Sequence, residues 1–175
     1  MRTLVFAALL LIGQGAYAQY QPVDSASTVK FTIKNFGFRV SGFFTGLKGE
    51  IRFDPAHAAD ARIDVTVEAA TVNTDNSMRD DHLRSADYFD AKNAPRIRFV
   101  SEKIMPGHGR HSWIVTGKLT IKNHTKEISI PCTVIPSGGG YLFDGSFSLN
   151  RRDFEVGGAS TISDNLDLSL HILAK

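Results

Sequence analysis

The chain has almost no cysteine and only one long hydrophobic run. Cys132 is the single cysteine among 175 residues, which excludes an internal disulfide framework, so an ordinary hydrophobic core must stabilise the fold. The apolar run at residues 4–12 covers roughly half of the ~20 residues that a membrane-spanning helix requires. We therefore expect a soluble protein with no stable membrane insertion.

An excess of charge of either sign is also missing. Twenty Lys and Arg stand against 18 Asp and Glu, which gives a net charge of +2, and the basic residues are scattered among acids. Nucleic-acid binding would instead require a basic patch or stripe. We therefore expect no nucleic-acid partner.

Arrangements that would support catalysis are lacking as well. The sequence has no Gly-x-Ser-x-Gly elbow, and His108 and His111 have no nearby cysteine or carboxylate to complete a metal site. Asp80, Asp81 and His82 are consecutive, so on a helical turn they point in different directions and cannot act on one atom. We expect a protein that is not an enzyme and that uses no metal and no cofactor.

The first residues predict export. Arg2 supplies a positive charge, residues 4–12 are apolar, and Ala16, Tyr17 and Ala18 form a small-x-small cleavage pattern. These features are typical of a cleavable signal peptide. We expect residues 1–18 to be removed and residues 19–175 to form a single domain.

A two-residue hydrophobic rhythm dominates the rest of the chain. Val29, Phe31 and Ile33 alternate with polar residues, a period that indicates a strand with one buried face. The pattern predicts an all-β fold, an eight-stranded antiparallel barrel, with strands near 27–35, 38–53, 62–72, 95–104, 111–122, 125–135, 140–150 and 164–174. Residues 73–93 break the rhythm, and Asn76 can cap a short helix that would cover one opening.

An eight-stranded barrel either packs its interior with side chains or holds one small ligand. The sequence alone leaves both possibilities open. For a ligand, we expect apolar contacts from Phe31, Ile33, Phe53, Val65, Val67, Phe89, Phe99, Trp113, Leu119, Ile121, Phe143, Phe147, Leu149 and Leu168. Arg79, Asp80 and His82 could meet a headgroup at the mouth, or could instead form ion pairs and loop caps at the rim.

Several blocks of this sequence resemble the YceI-like family. The similar segments are residues 24–42, 79–90 followed by 95–99, 117–122 and 150–157. The resemblance implies an extended, lipocalin-like eight-stranded barrel with a long apolar tunnel, a periplasmic location, no enzymatic reaction, and binding of polyisoprenoids or related long-chain lipids for sequestration or transport. Ala26 and Asn35 stand where that family usually has histidines.

A different function remains open, in which a filled barrel acts through its surface. Phe36, Phe38, Phe43 and Phe44 are more large side chains than one inner face can hold. Contiguous exposed apolar surface often marks a protein contact. A homodimer is the hypothesis for this cluster.

Overall fold

The computed structural model describes residues 18–159 and 161–175. Within these residues the chain forms ten antiparallel strands and one α-helix. The elements are β1 (Gln19–Tyr20), β2 (Thr28–Asn35), β3 (Phe38–Phe44), β4 (Lys48–Arg52), β5 (Arg62–Glu68), α1 (Ser77–Arg84), β6 (Arg96–Pro106), β7 (Ser112–Ile121), β8 (His124–Ser137), β9 (Gly140–Asn150) and β10 (Ile162–Ala174). Short 3₁₀ turns lie at Asp24–Ala26, Ala58–Asp60, Ala69–Thr71 and Arg151–Phe154.

All ten strands belong to one sheet, in the order β1-β4-β5-β6-β7-β8-β9-β10-β2-β3. Neighbours along the chain pair directly from β4 to β10, and β10 also pairs with β2. The sheet curls into a half-barrel with α1 at one opening. The predicted all-β antiparallel class and the helix near an opening are confirmed.

The predicted number of eight strands was too low. The expected strand 38–53 is two strands, because the backbone N–H groups of Gly46 and Leu47 donate to the Asp24 carboxylate, at 3.2 and 2.8 Å, instead of joining a ladder. The Thr45 N–H likewise donates to Thr71 Oγ1 at 2.9 Å. The short β1 adds the tenth strand.

Residues 19–23 join β4 to the end of β10. Tyr20 pairs with Ile51 of β4, and the Gln21 N–H donates to the Lys175 carbonyl oxygen at 2.7 Å. On the other side, the Phe43 N–H of β3 donates to the Asn73 carbonyl oxygen at 2.9 Å, in the segment that leads into α1.

One end of the barrel interior is filled by four aromatic rings, which we call the aromatic plug: Phe53, Trp113, Tyr141 and Phe143. The Phe53 ring meets the other three edge to face, with centroid distances of 5.0 Å to Trp113, 5.1 Å to Tyr141 and 5.5 Å to Phe143. Edge-to-face contacts of this kind stabilise beyond the area they bury. The plug leaves the opposite end, beneath α1, as the one next to an open interior.

Residues 1–17, which hold nearly all of the predicted signal peptide, lie outside the described residues. Among the residues that are described, no helix combines the length and apolar character needed to span a membrane.

Candidate ligand-binding cavity

The curled sheet and α1 enclose a cavity of about 490 Å³. This volume falls within the range of roughly 300–1,000 Å³ that small-molecule sites occupy. Thirty of the 39 residues that line it carry aliphatic side chains or the rings of Phe and Tyr. An interior of this size and character is suited to an apolar guest.

Strand alternation and register explain the apolar lining. Phe31 of β2 lies opposite Leu168 of β10, which lies opposite Phe147 of β9, so three neighbouring strands present apolar side chains to the cavity as one row. The residues between them, such as Lys30 and Ser169, face outward and are exposed.

Most of the predicted ligand-contact residues line this cavity. They are Phe31, Ile33, Val65, Val67, Arg79, His82, Phe89, Phe99, Leu119, Ile121, Phe143, Phe147, Leu149 and Leu168. The lining also includes residues that the prediction did not name, among them Phe44, Tyr88, Cys132, Phe154 and Val156. Cys132 continues the alternation of Ile128 and Ile130, so the sequence did contain a signal for it.

Phe53 and Trp113, which were also predicted to contact a ligand, are not among the residues that line the cavity. Both are on the inward phase of their strands and are buried, with 3% and 8% exposure. They belong to the aromatic plug, where the packed rings fill the interior of the barrel. Alternation identifies the inward face of a strand but does not say how far along the barrel the open interior extends.

Asp80 also lies outside the lining, and its contacts are internal. Its carboxylate accepts hydrogen bonds from Thr74, from the N–H at 2.9 Å and from Oγ1 at 2.5 Å, and its exposure is 6%. Hydrogen bonding of a buried carboxylate to a backbone donor fixes the local fold. Asp80 therefore anchors the start of α1 to the preceding segment, and its contact with a headgroup stays a prediction.

Arg79 is held at the cavity rim through the same threonine. Its Nε donates to Thr74 Oγ1 and its Nη2 donates to the Thr74 carbonyl oxygen, each at 2.7 Å. The Arg79 N–H donates to Asn76 Oδ1 at 3.0 Å, which bears out Asn76 as the helix cap. The guanidinium is thus positioned in advance at the mouth.

His82 and Tyr88 complete the polar rim near α1. Their rings lie 4.8 Å apart between centroids, and both line the cavity. The neighbouring loop packs closely, since a Cβ on Gly157 would lie 2.9 Å from Tyr88 Cε1. The Gly157 N–H also donates to the Asp87 carbonyl oxygen at 2.8 Å, so residues 87–88 are fixed against that loop.

Arg151 reaches the cavity but is committed to the backbone. Its guanidinium donates to the carbonyl oxygens of Val156 at 2.8 Å and Gly157 at 2.7 Å, and pairs with Asp164 at 2.9 Å. The side chain is 5% exposed. Arg151 therefore holds the loop that connects β9 to β10.

Cys132 is the one cysteine and lies on the cavity wall. Burial raises the pKa of its thiol from 9.0 to about 11, because a low-polarity environment disfavours the thiolate. A thiol of this kind is a poor nucleophile at neutral pH. Among the described residues, no group of three or more His, Cys, Asp or Glu is arranged to hold a metal ion.

The sequence is similar to those of known proteins over nearly its whole length. A family model described as the YceI-like domain matches residues 20–174. A protein of Pseudomonas fluorescens named UPF0312 protein is 34% identical and aligns over 93% of this chain and 89% of its own length.

Solved structures share the fold. The crystal structure of Burkholderia cenocepacia BcnA superposes with a TM-score of 0.81 at 31% identity and covers 86% of this chain and 98% of BcnA. A polyisoprenoid binding domain from Saccharophagus degradans, implicated in plant cell wall breakdown, superposes with a TM-score of 0.70 at 13% identity and covers 89% of this chain and 97% of that domain. At that identity the second likeness concerns the fold alone.

Proposed function

This chain belongs to the YceI-like domain family, and we propose that it binds a long-chain isoprenoid or fatty-acyl lipid in its cavity. The carrying observation is the lining itself, which is mostly aliphatic and aromatic, with few charged groups, among them Arg79 and His82 of α1. The Saccharophagus degradans polyisoprenoid binding domain has the same fold, so the fold is compatible with this class of ligand. The proposed role is sequestration or transport, without a chemical reaction on the ligand.

The energetics suit a hydrocarbon chain. Each methylene that leaves water for an apolar site contributes about 0.8 kcal/mol, so a chain of many methylenes binds tightly without a polar contact. The aromatic plug fixes how deep the chain can reach. The tail would therefore pass the row of Phe31, Leu168 and Phe147 as it extends toward the plug, with its other end toward α1.

The polar rim would receive the headgroup. Arg79 has one guanidinium nitrogen, Nη1, that makes no hydrogen bond with any described residue. It can donate to a hydroxyl, carbonyl or phosphate oxygen. His82 and Tyr88 lie along the same rim, while Asn35 supplies an amide at a position where the resemblance led us to expect histidine.

The periplasm is the proposed location, reached by way of the signal peptide at residues 1–18. In support, β1 begins at Gln19, the residue that follows the expected cleavage site, and it pairs with Arg52 of β4. Cleavage there would remove the predicted leader and leave the strand intact.

A homodimer stays a separate prediction. Of the aromatic cluster that motivates it, Phe44 turns inward to line the cavity, and Phe36, Phe38 and Phe43 are exposed. A monomeric mass in light scattering at high protein concentration would count against it.

A chain-length series tests the lipid-binding proposal. Delipidated protein is titrated with saturated fatty acids and isoprenoid alcohols of increasing length, in competition with a fluorescent apolar probe. We expect affinity to rise about fourfold for each added methylene and to level off when the cavity is filled. Affinity that ignores chain length would refute the proposal.

Matched variants on β10 locate the site. Leu168 faces the cavity and Ser169 faces solvent. Leu168→Asp should abolish probe uptake and Ser169→Asp should leave it unchanged, with circular dichroism to verify folding. Should Leu168→Asp fail to fold, Leu168→Ala is expected to fold and to bind more weakly; wild-type affinity in Leu168→Ala would contradict the assignment.

A further inference from the structure

We propose that the tip of the β2–β3 hairpin docks the cavity mouth onto the surface of an anionic lipid bilayer. The hairpin tip comprises residues 34–39, with Phe36 and Phe38 at its apex and Lys34 and Arg39 just behind. This inference goes beyond ligand binding, since it concerns how the protein meets a second surface.

The turn at the apex carries a phenylalanine where the backbone disfavours one. Phe36 has φ +50° and Gly37 has φ +81°, which is the two-residue turn that prefers Asn-Gly or Asp-Gly. A bulky residue in this left-handed region is strained, and the Phe36 side chain is 72% exposed. The ring thus gains little from packing in the fold that would offset the strain, which points to a partner outside the chain.

Two more exposed apolar side chains stand beside the mouth. Phe38, 77% exposed, lies opposite Asn35 in the hairpin, and Asn35 lines the cavity. Met78, 82% exposed, precedes the rim residue Arg79 on α1. Exposed apolar side chains therefore lie on two elements that border the mouth, the β2–β3 hairpin and α1.

The charges behind the apex have the sign that suits phosphate. Lys34 and Arg39 lie directly opposite one another on adjacent strands, an arrangement of like charges that is destabilising. Neither side chain forms a hydrogen bond or ion pair with any described residue. Aromatic groups ahead of long basic side chains are typical of segments that enter the boundary between headgroups and acyl chains.

A second copy of this chain fits the hairpin tip less well. A two-fold dimer brings the same patch of each copy together, so Lys34 and Arg39 would face their own counterparts with no acid of the tip between them. An anionic bilayer removes this repulsion. If the cavity holds a lipid, as proposed above, docking with the mouth against the bilayer would also let the lipid move between bilayer and cavity without crossing water.

Vesicle flotation tests the docking. The full mature chain is mixed with vesicles of phosphatidylcholine alone or of phosphatidylcholine and phosphatidylglycerol in equal parts. We expect binding to the anionic vesicles that weakens with salt. Lys34→Gln and Arg39→Gln should each weaken it roughly fivefold, and neither should affect the fold adversely.

Phe36→Asn is the decisive variant, because asparagine is favoured in this turn. A purely structural role for Phe36 predicts lower stability. Docking instead predicts equal or higher stability in denaturant together with about tenfold weaker vesicle binding. Ile135→Thr is the matched control: Ile135 is 40% exposed and lies opposite Leu142, next to the aromatic plug, so its loss should not change vesicle binding.

Two results would overturn the proposal. One is vesicle binding that Phe36→Asn and both charge variants leave unchanged. The other is a wild-type dimer that Phe36→Asn converts to a monomer, which would make the hairpin tip a protein interface. Uptake of the apolar probe from solution is measured on the same variants, and protein that binds vesicles but takes up no probe would refute the proposed function while supporting docking.

Discussion

Enlarging one cavity-facing side chain tests whether the interior is free to receive a ligand. Val65 on β5 lines the cavity, and Val65→Phe adds hydrocarbon at that wall. In a barrel already filled by its own side chains, such a change costs about 1–3 kcal/mol of stability. In a barrel with a free cavity of about 490 Å³, the larger ring enters existing space.

The added ring of Val65→Phe has two expected effects, one on ligand affinity and one on the stability of the unliganded protein. The phenylalanine would displace about two methylene groups of a ligand that fills the cavity, and at about 0.8 kcal/mol each this removes ~1.6 kcal/mol of binding, roughly fifteenfold in affinity. The unliganded protein should meanwhile keep or gain stability, because the added ring is itself buried.

Denaturant unfolding of the delipidated protein measures the change in stability. Competition between geranylgeraniol and the fluorescent probe measures the change in binding affinity. Val134→Phe is the matched control: Val134 is 3% exposed and belongs to the packed core rather than to the cavity lining. It should lose about 1–3 kcal/mol of stability. A loss of similar size in Val65→Phe would refute the free cavity.

Three further predictions concern the rim, the wall and the plug. Asp80→Ala leaves the Thr74 N–H buried without its acceptor and should lower the free energy of unfolding by about 1–3 kcal/mol, whereas loss of the exposed Asp81–Arg84 pair in Asp81→Ala should cost little. Alkylation of Cys132 should still be accelerating above pH 9, because burial raises its thiol pKa to about 11, and bound lipid should slow it; a plateau near pH 9 would contradict this. Trp113→Ala should cost about 3–5 kcal/mol by opening the plug, measured by urea unfolding.

Much of the fold was predictable because one physical signal repeats in nearly every strand. The alternation at Val29, Phe31 and Ile33 fixes which face of β2 is buried, and the same rule places most of the cavity wall. The break between β3 and β4 was not predictable, since it depends on the Asp24 carboxylate reaching the Gly46 and Leu47 N–H groups from a distant part of the chain.

The predicted site residues that lie outside the cavity lining share a cause. Phe53 and Trp113 have the correct inward phase, but whether an inward ring lines open space or fills it depends on neighbours from other strands, here Tyr141 and Phe143. Asp80 carries a charge that favours exposure, and only its hydrogen bonds to Thr74 make burial acceptable. Local pattern cannot report such tertiary contacts.

The central claim, that the cavity holds a lipid, is tested most directly by native mass spectrometry of the protein purified from the cells that make it. Denaturing extraction then identifies any retained molecule. We predict one long-chain isoprenoid or fatty-acyl compound per protein. A protein that is empty, and that also fails to take up such compounds when they are supplied, would contradict the account and indicate a barrel that acts through its surface.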